Sequence, residues 1–126
     1  MLYSHYTQVS HEAWPCKWFK PKEIACKGDG SILIDTEALI RLDILRSLMG
    51  KPLIINSGYR SPQHNKNVGG SPNSKHKLGR AFDISINNLD KEKLYETAKK
   101  VGFTGFGKYD TFLHVDTARP REWGSW

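Results

Sequence analysis

Two short stretches of strict alternation constrain the fold of this chain more than any other feature of it. In AFDISI, from Ala81 to Ile86, the side chains of Phe82, Ile84 and Ile86 fall on one face of a strand and those of Ala81, Asp83 and Ser85 on the other. In FLHVDT, from Phe112 to Thr117, Leu113 and Val115 share one face while Phe112, His114 and Asp116 share the opposite one. Such strands bury an apolar face under other elements and display their ionisable groups on the face left over.

The elements that would cover the apolar face are also legible. Asp35 or Thr36 is a good N-cap, and Ala38, Leu39, Leu42, Leu45 and Met49 recur at helical spacing until Gly50 and Pro52 stop the helix. Asp90 caps a second amphipathic helix with Leu94, Ala98 and Val101 on one side, ended by Gly102. PLIIN, from Pro52 to Asn56, reads as a strand, and another is expected over Phe103 to Tyr109. The pattern predicts an α+β fold, a small antiparallel sheet with helices packed on one face. A chain of 126 residues holds one such domain. Residues 1–31, where Trp14, Trp18 and Phe19 are spread among Pro15, Pro21, Gly28 and Gly30, are expected to form an irregular, aromatic-rich segment packed over it.

Between the strands at 52–56 and 81–86 the chain turns rich in Gly, Ser, Asn and Pro, from Ser57 to Gly79. A loop of that length in so small a domain is usually functional. A catalytic zinc site takes three protein ligands from His nitrogen and carboxylate oxygen and leaves one position for water. His76 at the loop's exit, Asp83 on one strand and His114 on another could supply that set if the strands are neighbours. Each of the three read alone is better explained as a loop or strand residue, and it is their combination that points to a metal.

Composition narrows the partners. With 25% charged and 38% hydrophobic residues the chain is neither disordered nor fibrous in type. Its formal charge of +6 favours an anionic partner such as nucleic acid, an anionic membrane surface or an anionic wall polymer. The lysines are scattered among carboxylates without a recognition helix, zinc finger or RNA-binding signature, so nucleic acid is not the expected partner. No apolar run is long enough to cross a membrane. Cys16 and Cys26 make no disulfide framework and no four-cysteine zinc site, and they read as two buried thiols or one optional bridge. The N-terminal residues lack the pattern of a secretory leader, so action outside the cytoplasm would require release or export by other means.

Three stretches in this order, SGYRSPQHN, VGGSPNSKHKLGRAFDI and HVD, resemble the zinc D-alanyl-D-alanine carboxypeptidases and related peptidoglycan peptidases, whose fold is shared with the amino-terminal domain of hedgehog proteins. The signature SxHxxGxAxD of that family is matched by Ser74, His76, Gly79, Ala81 and Asp83. The resemblance implies His76, Asp83 and His114 as ligands of a zinc ion. It implies Arg60 beside the substrate, where a guanidinium can hold a carboxylate by two parallel hydrogen bonds. Ser74 is implied as a substrate contact or as an organiser of the loop, and His64 and Asn65 as residues that hold the loop in shape.

In that family a carboxylate three residues before the last histidine ligand serves as general base, and here Thr111 stands in its place. Asp110 is the first substitute, brought to the metal by a one-residue bulge. Asp116, which shares a face with His114, is the second, with orientation of the imidazole as an equal alternative role. The implied function is zinc-dependent hydrolysis of a peptidoglycan peptide bond next to a D-amino acid, as carboxypeptidase or endopeptidase, by a monomer acting at the cell wall, as in a phage lysis enzyme. The alternative is a zinc-stabilised wall-binding module that has lost its base.

Overall fold

The computed structural model describes residues 1–126. A two-stranded ribbon is formed by β1 (Leu2–Tyr3) and β2 (Ile32–Leu33), with the short helix α1 (Pro21–Ile24) between them in sequence. The long helix α2 (Thr36–Met49) leads to β3 (Ile55–Ser57), α3 (Pro62–Asn67) and β4 (Ala81–Ser85). The chain ends with α4 (Lys91–Lys100), β5 (Gly105–Lys108), β6 (Phe112–Asp116) and β7 (Arg121–Gly124). The main sheet has the order β3-β4-β6-β5-β7. Its pairs are antiparallel as expected, except that β7, which the sequence pattern does not announce, adds a parallel edge beside β5.

Both long helices start and stop where their caps require. Asp35 accepts a hydrogen bond from the Ala38 N–H, and Asp90 accepts one from the Lys93 N–H, which satisfies donors that the first turn leaves free. Gly50 ends α2 in the left-handed conformation at φ 68°. Leu39, Leu42 and Leu45 of α2 and Leu94 and Ala98 of α4 join Phe82, Ile84, Leu113, Val115 and Phe106 of the sheet in one core. Each large side chain so buried contributes about 1.5–3 kcal/mol.

The opposite face of the sheet is the polar one, and it is not left to solvent. Register places Asp83 of β4 across from His114 of β6, His114 across from Gly107 of β5, and Gly107 across from Trp123 of β7. The neighbouring row runs Ala81, Asp116, Gly105, Arg121. Asp83, His114 and Asp116 are all buried. The segment from Ser57 to Gly79, folded into α3 and a 3-10 turn over Lys75–Leu78, lays Arg60 and His76 against Asp83 and His114, while Arg121 closes over Asp116. Ser61 caps α3 through the His64 N–H, Ser74 caps the 3-10 turn through the His76 N–H, and the Arg60 N–H donates to the His76 carbonyl. Gly79 ends that turn at φ 70°, where an added Cβ would also lie 2.5 Å from the Leu33 carbonyl oxygen.

Residues 1–31 pack on the domain through Phe19, Ile24 and Ala25 in the core, with Trp14 and Cys16 against it. Asp43 of α2 fastens the segment by accepting from the Lys17 and Trp18 N–H groups at 2.9 and 2.8 Å. Cys16 and Cys26 are free thiols. Burial, and then the Asp43 and Glu23 charges, push the Cys16 thiol up to about 12, so it is inert at neutral pH.

The glycines of β5 clear space for what crosses it. A Cβ on Gly107 would lie 2.5 Å from the Trp123 ring, and one on Gly105 would lie 2.6 Å from Arg121 Nη1. Gly107→Ala is therefore expected to displace the indole and destabilise the fold by about 1–3 kcal/mol. The check is a urea melt together with near-ultraviolet circular dichroism; an unchanged midpoint and an unchanged aromatic signal would contradict this account of β5.

Candidate metal centre

Three elements bring one donor each to a common point. His76 comes from the 3-10 turn, Asp83 from the middle of β4 and His114 from the middle of β6. Asp83 Oδ1 lies 3.1 Å from His76 Nε2 and 3.0 Å from His114 Nδ1. The three donor atoms all fall within 4.8 Å of one another. The imidazole rings meet edge to face, with centroids 5.1 Å apart.

The outer nitrogen of each ring fixes its tautomer. His76 Nδ1 sits 2.7 Å from the Gly58 carbonyl oxygen, which can only accept, so that nitrogen carries the proton. His114 Nε2 sits 2.7 Å from Asp116 Oδ2, again an acceptor. In the neutral rings, His76 Nε2 and His114 Nδ1 then turn lone pairs toward the same carboxylate oxygen. Three acceptors at that range repel one another unless a proton or a metal cation sits among them. The set suits a divalent ion of the zinc type, with two imidazoles, one carboxylate and a carbonyl or carboxylate behind each imidazole.

The charges agree with that requirement. Burial alone would raise the Asp83 carboxyl, but hydrogen bonds from His114 and His76, and their charge, hold it well below the usual carboxylate range. Burial would likewise depress His114, yet its bonds to Asp116 and Asp83 outweigh this and raise it above 6.5. Asp116 overcomes its own burial through His114, Arg121 and the Ala118 N–H and is held at about 2. Arg121 grips Asp116 with both guanidinium nitrogens, at 3.1 and 2.9 Å, while its own plane lies over the Trp123 ring.

Arg60 joins the same centre. It donates to Ser57 Oγ, Asn65 Oδ1 and the free Asp83 oxygen, Oδ2, at 2.9, 3.2 and 3.2 Å. Buried Asn65 donates in turn to the Ser71 carbonyl and so ties the loop to the arginine, while His64 packs against Gly28. Above the donors opens a cleft of about 810 Å³ that Arg60, Ser74, His76, Asp83 and His114 help to line.

Asp110 and Asp116, the two candidates for general base in the sequence reading, both lie outside the wall of this cleft. Asp116 is fully buried behind His114 and does not line the cleft. Asp110, exposed in the turn between β5 and β6, lines a different pocket with Asn56, Asn88 and Lys91. Asp83 is the one carboxylate in the cleft wall. Several lining residues escape the sequence reading: Arg80, Tyr109, Arg119, Arg121 and Trp123. The period-two pairs Gly105/Gly107 and Arg121/Trp123 are the signal that could have found the last two, because glycines on alternate positions of one strand mark bulky neighbours on the next.

The Peptidase M15 family profile matches residues 17–116. Over 91 residues the chain is 34% identical to the zinc D-Ala-D-Ala carboxypeptidase of Streptomyces albus G, an alignment covering 68% of this chain and 36% of that protein. The chain thus spans about a third of the length of this curated relative.

Stability of the metal-free protein should follow the proton that stands among the donors. Asp83 and Asp116 are depressed, so their contribution is present above the unfolded value of 3.8 and is lost as pH falls through their folded values. His114 is raised, so its contribution is complete below 6.5 and is lost as pH rises through its folded value. Urea midpoints are expected to peak between pH 3.8 and 6.5 and to fall on both sides. One equivalent of zinc should abolish the alkaline fall, since the cation replaces the proton. A profile that zinc leaves unchanged would contradict the donor set.

Proposed function

The chain belongs to the peptidase M15 family, and on that premise we propose that it is a zinc-dependent peptidase that hydrolyses a peptide bond of bacterial cell-wall peptidoglycan next to a D-amino acid. The observation that carries the proposal is the convergence of His76 Nε2, Asp83 Oδ1 and His114 Nδ1 at the floor of an open cleft. The carboxypeptidase relative supports both the metal and the substrate class. Such a substrate puts the site of action at the wall, outside the cytoplasm.

His76, Asp83 and His114 would hold the ion. Zinc bound by three protein groups supplies Lewis-acid polarisation of a carbonyl and a water of lowered pKa. The chain's own residues do the rest. Gly58 and Asp116 lock the two imidazoles in the tautomers that leave their inner nitrogens free. Asp116 is read as a positioning residue that acts through His114, and Arg121 keeps it ionised. Arg60 is held by three hydrogen bonds, and of the five N–H groups of a guanidinium two remain for a substrate oxygen in the cleft it lines. Ser74 shapes the loop by capping the turn that carries His76. The reading assigns no chemistry to Asp110, whose carboxylate lies in the separate pocket.

One observation favours a second reading, a zinc-stabilised wall-binding module without activity: the cleft offers no carboxylate other than Asp83 to serve as base. Purified peptidoglycan separates the two. The zinc-loaded chain is expected to release new amino groups, to stop with a chelator and to resume with zinc. His114→Ala should abolish release, Asp116→Asn should lower it about 10–100-fold, and Asp110→Asn should leave it within about twofold. Bound zinc with no amino groups released would favour the binding module.

A further inference from the structure

The cleft is not symmetric about the metal donors. Register fixes its long axis: the row of Ala81 and Asp116 lies on one side of the Asp83 and His114 row, and the row of Ser85 and Phe112 lies on the other. Rows two residues apart are roughly 7 Å apart along a strand. Of the cations that line the cleft, Arg121 binds Asp116, Arg80 binds Thr117 beside it, Arg119 follows in the same turn, and Lys75 is joined to Arg80 by the bond from the Arg80 N–H to its carbonyl, which puts this group at the Asp116 end. At the Phe112 end stand Phe112 and Tyr109, stacked at 4.4 Å with planes 11° apart, and the Tyr109 hydroxyl accepts from the Trp123 indole N–H at 2.7 Å.

The cations at the first end are mostly unspent. Arg121 is committed to Asp116. None of Lys75, Arg80 and Arg119 forms an ion pair. Arg80 is anchored on Thr117, where Nε meets Oγ1 at 3.1 Å and Nη2 meets the carbonyl oxygen at 2.6 Å, so its plane is fixed while Nη1 keeps no internal partner. Glu37, whose carboxyl Arg80 helps to lower, pairs with Arg41 and does not line the cleft. A fixed guanidinium that shares the cleft wall with a lysine and a second arginine, where the one carboxylate, Asp83, is already held by two imidazoles and Arg60, is a carboxylate receptor in wait of its anion.

We infer that Lys75, Arg80 and Arg119 form a subsite for an internal carboxylate of the peptide substrate, one carried within about two residues of the bond that sits at the metal donors. The inference rests on the peptidase reading above and adds a selectivity to it. Stem peptides whose internal carboxylates are free are accepted, and those in which they are carboxamides are discriminated against, while the aromatic end receives the uncharged part of the chain.

The test uses three forms of one defined muropeptide pentapeptide: internal carboxylates free, internal carboxylates amidated, and only the chain terminus amidated. With the zinc-loaded protein, kcat/KM for the free acid is expected to exceed that for the internally amidated form by about tenfold. Arg119→Gln, which breaks no internal bond, and Arg80→Gln should each shrink that ratio severalfold, and salt should shrink it in the parent. If the zinc-loaded chain hydrolyses none of the three, the peptidase reading fails, and the same ratios are read as Kd by calorimetry, since no turnover then intervenes. A parent ratio within twofold, a ratio that neither variant changes, or an effect reproduced by amidating the terminus alone would overturn the subsite.

Discussion

A buried carboxylate oxygen shared by two imidazole nitrogens organises this molecule. Asp83 Oδ1 has His76 Nε2 on one side and His114 Nδ1 on the other, at 3.1 and 3.0 Å, and each ring in its neutral form spends its one proton on an outer partner. Left to themselves these atoms repel in a site of low dielectric constant, where an uncompensated buried charge is costly. A cation among them converts the repulsion into binding. The same arrangement explains why Arg60 must lie against Asp83 Oδ2 and Arg121 against Asp116: each remaining carboxylate oxygen needs a partner once water is excluded.

The fold serves that requirement by giving its sheet two unlike faces. Phe82, Ile84, Leu113 and Val115 seal one face under α2 and α4, which fixes the register of β4 against β6. A slip by one residue would send Asp83 and His114 into that apolar core. Register then aligns the ligands of two strands that are far apart in sequence, and the 57–79 segment lowers the third ligand onto them. The small residues at Gly105 and Gly107 extend the arrangement sideways, letting Arg121 and Trp123 lean over β5 to support Asp116 and His114.

Much of this arrangement is legible in the sequence alone. Alternation in AFDISI and FLHVDT placed Asp83 and His114 on a common face, and helix caps at Asp35 and Asp90 stand where the spacing puts them. What alternation could not convey is whether the polar face is open. The ligands are buried because a loop without periodicity of its own, rich in Gly and Ser, folds back through Asn65, Ser61 and Ser74, and such side-chain caps become visible only when their partners are known. β7 escaped for a related reason: four residues, three of them charged or glycine, carry too weak a strand signal, and their pairing with β5 is decided by the space at Gly105 and Gly107. The place of Asp110 was open in the sequence because direction of a turn residue depends on the hairpin's closure, which here sends it toward Asn56 and Lys91.

The most direct measurement of the central claim is X-ray absorption at the zinc edge of the loaded protein at neutral pH. The account predicts one zinc per chain with two imidazole nitrogens at about 2.0–2.1 Å, a carboxylate oxygen and a water oxygen in a four-coordinate shell, and no sulfur. His76→Ala should remove one imidazole from that shell. A sulfur scatterer near 2.3 Å, which would implicate Cys16 or Cys26, or a shell that keeps both imidazoles in His76→Ala, would contradict it.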